Sequence, residues 1–233
     1  MYSLALEKYK HLRLVIIMDK KSRELMGTKY DDLVEKHDVN ISALHENGCR
    51  YEREHQRIKF QHVLKHLDFD ESLLDIGCGL GDLAEFCRGQ GWKGEYTGID
   101  ISSGMVQTTR SRLNTKNIFQ LDVLEERYDG RHDVVASIST LQQKPLYMDG
   151  IDYLEKMISK MLEICTKCVI FDVFSTKFAD YENPDNIYVD PSSFLERLYT
   201  FTNNLILYNH YNPYQLMVVL YKEKLTGWKV GKI

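Results

Sequence analysis

From Leu73 onward the chain alternates short apolar runs with amphipathic stretches. Leu73-Leu74-Asp75-Ile76, Glu95-Tyr96-Thr97-Gly98-Ile99, Ile118-Phe119-Gln120-Leu121, Asp133-Val134-Val135-Ala136 and Cys168-Val169-Ile170-Phe171-Asp172-Val173-Phe174 are short, nearly continuous apolar runs, the pattern of strands buried on both faces. Between them the spacing predicts helices. The clearest covers 151–165, where Ile151, Leu154, Ile158, Met161, Leu162 and Cys165 recur at helical intervals. Upstream, 50–67 predicts a helix with Phe60, Val63, Leu64 and Leu67 on one stripe and Arg53, Gln56 and Lys59 on another. Residues 19–46 are charged and predict one or two surface helices. Near the end, Leu205-Ile206-Leu207-Tyr208 and Leu216-Met217-Val218-Val219-Leu220-Tyr221 flank Asn212-Pro213-Tyr214, which predicts an antiparallel hairpin closing a sheet edge.

Strands that alternate with helices imply right-handed crossovers and a parallel sheet covered on both sides. The expected fold class is therefore α/β: a Rossmann-like, seven-strand, mostly parallel sheet with a C-terminal antiparallel hairpin and a helical N-terminal cover. Residues 1–47 are expected to form an N-terminal extension and cover, and 48–233 the main domain. Met18, followed by Asp19-Lys20-Lys21, offers an alternative translation start.

Composition narrows the classes. The chain has 233 residues, 43% hydrophobic and 27% charged, which suits one large globular domain and excludes collagenous or wholly disordered readings. Its 30 basic and 34 acidic side chains give a net charge of −4. That balance argues against a nucleic acid as partner, since phosphate backbones call for a basic face. No run of 18 apolar residues is present, so no membrane span is expected, and Leu12 to Met18 lacks the features of a signal peptide. The five cysteines, Cys49, Cys78, Cys87, Cys165 and Cys168, are an odd count that points to a reducing, cytoplasmic setting. Cys165 and Cys168 form a C-x-x-C without a companion pair, and the reading is two packing residues rather than a metal site.

The chemistry concentrates in Asp75-Ile76-Gly77-Cys78-Gly79-Leu80-Gly81-Asp82-Leu83, which leaves a predicted strand and enters a predicted helix. Glycines at alternate positions let the backbone turn sharply and approach a ligand closely. Asp100 ends the next predicted strand, where an acid can take both hydroxyls of a ribose. Asp122 ends the strand after that, where a carboxylate can accept from an adenine amino group. All three carboxylates fall on the carboxyl edge of the sheet, the ligand-binding edge of open α/β folds. A nicotinamide fingerprint would be G-x-G-x-x-G; here the spacing is G-x-G-x-G, and Asp82 stands where the third glycine belongs. A ligand without phosphates that bears an ammonium and a carboxylate suits this turn better.

In these residues the sequence resembles the class I S-adenosylmethionine-dependent methyltransferases. The resemblance rests on L-L-D-I-G-C-G-L-G-D-L (73–83), Y-T-G-I-D-I-S-S-G-M (96–105), Q-L-D-V (120–123) and H-D-V-V-A-S-I-S (132–139). It extends to a bacterial small-molecule branch at E-R-E-H-Q-R-I-K-F (52–60), at residues 174–191 and in the closing hairpin, about 48–222 in all. The resemblance implies S-adenosylmethionine as cofactor. Gly77, Gly79 and Gly81 would line its methionine part, Asp75 would meet its amino group and Arg53 its carboxylate. Asp100 would hold the ribose, Ile101 and Met105 would flank the adenine, and Asp122 with Val123 would meet its amino edge. Ser137 would face the sulfonium.

Asn212-Pro213-Tyr214 is similar to the N-P-P-Y motif of amino methyltransferases. It sits in the hairpin turn, whereas Ser137-Ile138-Ser139-Thr140 follows the fourth strand, which argues against methylation of nucleic-acid bases or protein glutamines. Methyl transfer is an in-line displacement that gains much from alignment, and it needs a base only when the acceptor must lose a proton. His37, His45, His55 and His210 are candidates, with His55 first and Tyr51 as a phenolic alternative. The acceptor pocket is expected to be roofed by residues 19–55 and by 175–190, which carries Lys177, Asp180, Tyr181, Tyr188 and Asp190. The expectation is methyl transfer to a small molecule, O-methylation ahead of N-methylation of a small amine. The rival is a regulatory module that binds the cofactor without turnover. The sequence is silent on oligomeric state.

Overall fold

The structure of the chain is a computed structural model that describes residues 27–28, 31–32, 50–145, 148–177 and 183–224, with residues 50–53 described by backbone alone. Tyr51 and Arg53 therefore enter only through their place on a helix. His37, His45, Cys49, Asp180, Tyr181 and the boundary at 47/48 lie outside the described residues.

The elements run α1 (Arg50–Leu64), β1 (Leu73–Ile76), α2 (Asp82–Gly89), β2 (Tyr96–Asp100), α3 (Ser103–Leu113), β3 (Ile118–Gln120), β4 (His132–Ser137), α4 (Gly150–Ile164), β5 (Cys165–Ser175), β6 (Tyr188–Val189), α5 (Pro191–Leu198), β7 (Leu205–Tyr208) and β8 (Gln215–Tyr221). The sheet order is β3-β2-β1-β4-β5-β8-β7, with β6 paired to β5 off this path. Pairs among β1 to β6 are parallel, and β8 lies antiparallel between β5 and β7. This is the expected Rossmann-like arrangement with one strand more than the seven expected.

The apolar runs work as the pattern requires. Leu74, Ile76, Val135, Val169, Phe171 and Val173 pack on the side of α4 and α5. Their neighbours Leu73, Val134, Ala136, Cys168 and Ile170 pack on the side of α1, α2 and α3. A period of two with both faces covered gives continuous hydrophobic strands. Cys165 and Cys168 are buried in β5 with free thiols, Cys168 pushed up to about 12 by burial. They are packing residues, as read. Asp149 caps α4, accepting from the N–H of Ile151 at 2.8 Å. The helix begins at Gly150 and ends at Ile164, so Cys165 opens β5 directly. Among the described residues no helix is long and apolar enough to cross a membrane.

Two features go beyond the sequence reading. Residues 183–190 are tied to the fold: Ile187 N–H donates to Gln142 O at 2.7 Å, Lys144 N–H to Asp185 O at 2.8 Å, and Tyr188–Val189 joins the sheet as β6. Asp190 is the N-cap of α5, a helix that the periodicity missed because it is short, and pairs with Lys177 at 2.7 Å. Lys59 is the other. Its ammonium is buried against Asp172 of β5 at 2.8 Å, with side chains 7% and 0% exposed.

That pair joins three elements. Lys59 Nζ also donates to Ser139 Oγ at 2.8 Å, while Asp172 accepts from Ser139 N–H at 2.6 Å and from Gln142 Nε2 at 2.5 Å. Helix α1, β5 and the turn after β4 are thereby held together through one buried carboxylate. Lys59→Met should destabilise the protein by about 3–5 kcal/mol, because Asp172 is left buried without its cation. Adding Asp172→Leu should recover part of that loss but not all, since Ser139 and Gln142 still lack an acceptor. Urea denaturation of the single and double variants checks both expectations.

Candidate active site

The chain runs outward from β1 to β2 and β3, then returns past β1 to β4. The helices after β1 and β4 therefore depart in different directions and leave a crevice at the carboxyl ends of these strands. A cleft opens there, and its lining includes Asp75, Gly77, Gly79, Asp100, Ile101, Met105, Asp122 and Val123. Eight residues that the sequence reading singled out on four segments thus meet in one place. Gly81 and Ser137 are outside the lining. Ser137 is fully buried, and its hydroxyl donates to Ile76 O at 3.0 Å, tying β4 to β1.

Gly77 has φ +76° and Gly79 φ +51°, the left-handed region that side chains avoid. A Cβ at Gly77 would also collide with the Thr140 side chain. The turn is held from outside by Asp100, whose Oδ2 accepts from Gly79 N–H at 2.9 Å and whose Oδ1 accepts from Ser102 N–H at 2.9 Å. Thr109 Oγ1 donates to Gly79 O at 2.5 Å, and Arg112 Nη1 reaches both Leu80 O at 2.8 Å and Asp82 at 2.7 Å. Asp82, in the place of a third glycine, is thus an ion-pair partner of α3. Motif reading passed over Thr109 and Arg112 because their partners lie about thirty residues away.

Burial sets the electrostatics. Asp75 is 4% exposed, and desolvation raises its carboxyl to about 7, against the pull of a 2.9 Å hydrogen bond from Tyr96 Oη. Burial also raises Asp100, opposed by the N–H groups of Ser102 and Gly79.

At the other end, Gln56 and Phe60 of α1 meet Ser139, Thr140 and Gln143 after β4. Ser139 holds φ +60° without being glycine, a strained conformation fixed by Asp172 and Lys59. Sequence reading places Lys59 on a helix stripe and Ser139 after the fourth strand but does not join them, because the network between them spans three elements. His55 is not in the lining. The Asn212 amide nitrogen lies 3.2 Å from its Nδ1, and since an amide nitrogen can only donate, Nδ1 is the acceptor. His210 packs among His62, Tyr208 and Tyr211, away from the cleft lining.

Residues 73–149 match the family described as a methyltransferase domain. Over those residues the chain is similar to methyltransferase domains. The malonyl-acyl-carrier-protein O-methyltransferase of Acetivibrio thermocellus is 34% identical to the chain over 86 residues. That stretch is 34% of this chain and 30% of the relative, so the chain spans under a third of that relative's length. Among solved structures, the magnesium protoporphyrin IX methyltransferase of Synechocystis with bound S-adenosylhomocysteine has a TM-score of 0.59 at 15% identity, covering 89% of this chain and 99% of that one. The N-methyltransferase NodS of Bradyrhizobium japonicum, also with S-adenosylhomocysteine, has a TM-score of 0.59 at 15% identity, covering 83% and 97%. Both share the fold of the methyltransferase domain and its surrounding sheet.

A carboxyl raised to about 7 makes the domain's stability depend on pH in a defined direction. The folded state holds a proton on Asp75 that the unfolded chain releases near 3.8. This contribution is fully present below about pH 4, falls as pH rises through 7, and is lost above it. Asp75→Asn should flatten that part of the pH–stability curve and leave the ligand-free protein at least as stable as wild type at pH 8. Thermal unfolding from pH 5 to 8 reads the slope.

Proposed function

We propose that the protein is an S-adenosylmethionine-dependent methyltransferase that acts on a small-molecule acceptor in a reducing compartment, the cytoplasm. The observation that carries this reading is the convergence of the glycine turn with Asp75, Asp100 and Asp122 in one cleft of a methyltransferase domain. The residues present suit the cofactor. Gly77 and Gly79 keep side-chain atoms out of a turn that must approach a ligand. Asp75, half-protonated near neutral pH when alone, would be held ionised by an ammonium group. Asp100 accepts from Gly79 N–H on one oxygen and Ser102 N–H on the other, with Ile101 N–H beside them, and a carboxylate's four lone-pair sites leave capacity for a ribose hydroxyl. Ile101 and Met105 would flank the adenine, with Asp122 and Val123 at its amino edge, Gly81 shaping the turn and Arg53 at the methionine carboxylate.

The bound cofactor supplies an electrophilic methyl group, and the domain's part is alignment and exclusion of water. We favour transfer to oxygen, and specifically to an acceptor oxygen already ionised at neutral pH, such as a carboxylate. The curated relative named above is an O-methyltransferase, while the N-methyltransferase neighbour shares the fold alone. An ionised oxygen needs no base, in keeping with His55, the first candidate, having Nδ1 occupied by Asn212. For an acceptor that must lose a proton, His55 would have to part from Asn212, or Tyr51 would serve instead.

S-adenosylhomocysteine at about 100 times its dissociation constant should stabilise the protein by roughly 2.7 kcal/mol. The melting midpoint should then rise by roughly 5–10 °C, with no rise from NAD. A shift with NAD alone overturns the cofactor assignment. With methyl-labelled cofactor and candidate acceptors, base-labile label released as methanol marks a carboxyl ester, and base-stable label marks an ether or amine. Binding without any label transfer supports the regulatory module.

Asp100→Ala should weaken S-adenosylhomocysteine binding by about 2–4 kcal/mol, roughly 30- to 1,000-fold. Because Gly79 and Ser102 lose their acceptor too, the melting midpoint of the ligand-free variant should also fall. Calorimetric titration decides it: unchanged affinity would reduce Asp100 to a scaffold for the turn.

A further inference from the structure

Residues 19–55 are expected to roof the acceptor pocket; of the described residues in that range, 50–55 belong to α1, whereas 27–28 and 31–32 sit beside the end of β2 and the start of α3. Residues 27–28 and 31–32 are helical. Gly27 lies so close to β2's outgoing turn that a Cβ would stand 3.3 Å from Ile101 O. Asp31 reaches the start of α3. Its Oδ1 accepts from Ser102 Oγ at 2.5 Å and from Gly104 N–H at 2.8 Å, and its Oδ2 accepts from Ser103 Oγ at 3.3 Å.

Ser102 is the link. It is fully buried, its N–H donates to Asp100 Oδ1, and its hydroxyl oxygen caps α3 by accepting from Met105 N–H at 3.0 Å. Asp31 takes that hydroxyl's proton-donating side, so one residue of the N-terminal segment fixes the rotamer of Ser102. Ser102 in turn fixes the carboxylate of Asp100 and the first turn that carries Met105. Ile101 and Met105 line the cleft on either side of this junction. A carboxylate on one N–H at a helix start, with two hydroxyl donors, is a charge-assisted cluster stronger than neutral hydrogen bonds.

We propose that Asp31 is a positioning residue for the cofactor: through Ser102 it holds Asp100, Ile101 and Met105 in place. The proposal rests on the cofactor reading above. It predicts control of exchange rather than of chemistry. Loss of the Asp31 contacts should act mainly on dissociation, because the groups that hold the bound ligand remain but are less firmly placed.

The probe is S-adenosylhomocysteine, with its dissociation rate followed by stopped-flow displacement on the full chain and the melting midpoint of the ligand-free protein measured beside it. Asp31→Ala should raise the dissociation rate by about tenfold with the association rate changed less than about threefold. Asp31→Asn, which keeps one accepting oxygen, should fall between. Gly27→Val leaves the Asp31 carboxylate intact but crowds Ile101 O, and should raise the dissociation rate likewise; it decides the matter if Asp31→Ala fails to fold. A lowered melting midpoint with an unchanged dissociation rate in both Asp31→Ala and Gly27→Val would make Asp31 an ordinary helix cap and overturn the proposal. Failure of the wild type to bind S-adenosylhomocysteine would instead sink the cofactor reading, and this proposal with it.

Discussion

The Asp100 carboxylate, at the end of β2, is the tie on which the cleft depends. A glycine turn is free to take the left-handed conformations at Gly77 and Gly79, and the same freedom makes it costly to order. Asp100 offsets that cost by accepting the N–H of Gly79, and Thr109 closes the other side at Gly79 O. The turn is thus determined by residues on β2 and α3, not by its own side chains. The motif has room for a ligand because its supports come from behind.

Three buried carboxylates stand along this edge of the sheet, and each is reconciled with burial differently. Asp172 has a lysine, two backbone or amide donors and no exposure. Asp100 has the backbone N–H groups of Gly79, Ser102 and Ile101. Asp75 has one phenol, and its proton is accordingly retained to about 7. The gradient is instructive: the carboxylate with a full set of partners is part of the scaffold, and the one with fewest is the one positioned to take a cation from outside. Burying charge without compensation is expensive, so an incomplete set at the floor of a cleft marks a place where a ligand completes it.

How much of this was legible beforehand follows from where the information lies. The five core strands, the crossover helices and the C-terminal hairpin were readable because each is specified by its own period and both faces of the sheet are buried. That Asp75, Gly77, Gly79, Asp100 and Asp122 face one cleft was legible because each sits a fixed step from a strand end, while Ile101, Met105 and Val123 came only through the family resemblance. What the sequence hid is what depends on distant partners. Lys59 looked like a helix-face charge, yet its partner is 113 positions on, in β5. Ser139 carries no motif, and its strain exists only because Asp172 waits opposite. The two-residue strand β6 and the short helix α5 fall below the length at which a period can be counted.

The two ends of the cleft are fastened by different physics, and that difference bears on how a ligand can enter. At the acceptor end, α1 is pinned to β5 by a dehydrated ion pair, which cannot be opened without exposing a buried charge. At the other end, Asp31 sits partly buried on Ser102 and Gly104, bonded to donors that water can replace. Opening the second costs far less than opening the first. The wall formed by α1 and β5 is therefore the more rigid of the two ends of the cleft. It would let the alignment needed for an in-line displacement survive every opening that a turnover cycle demands.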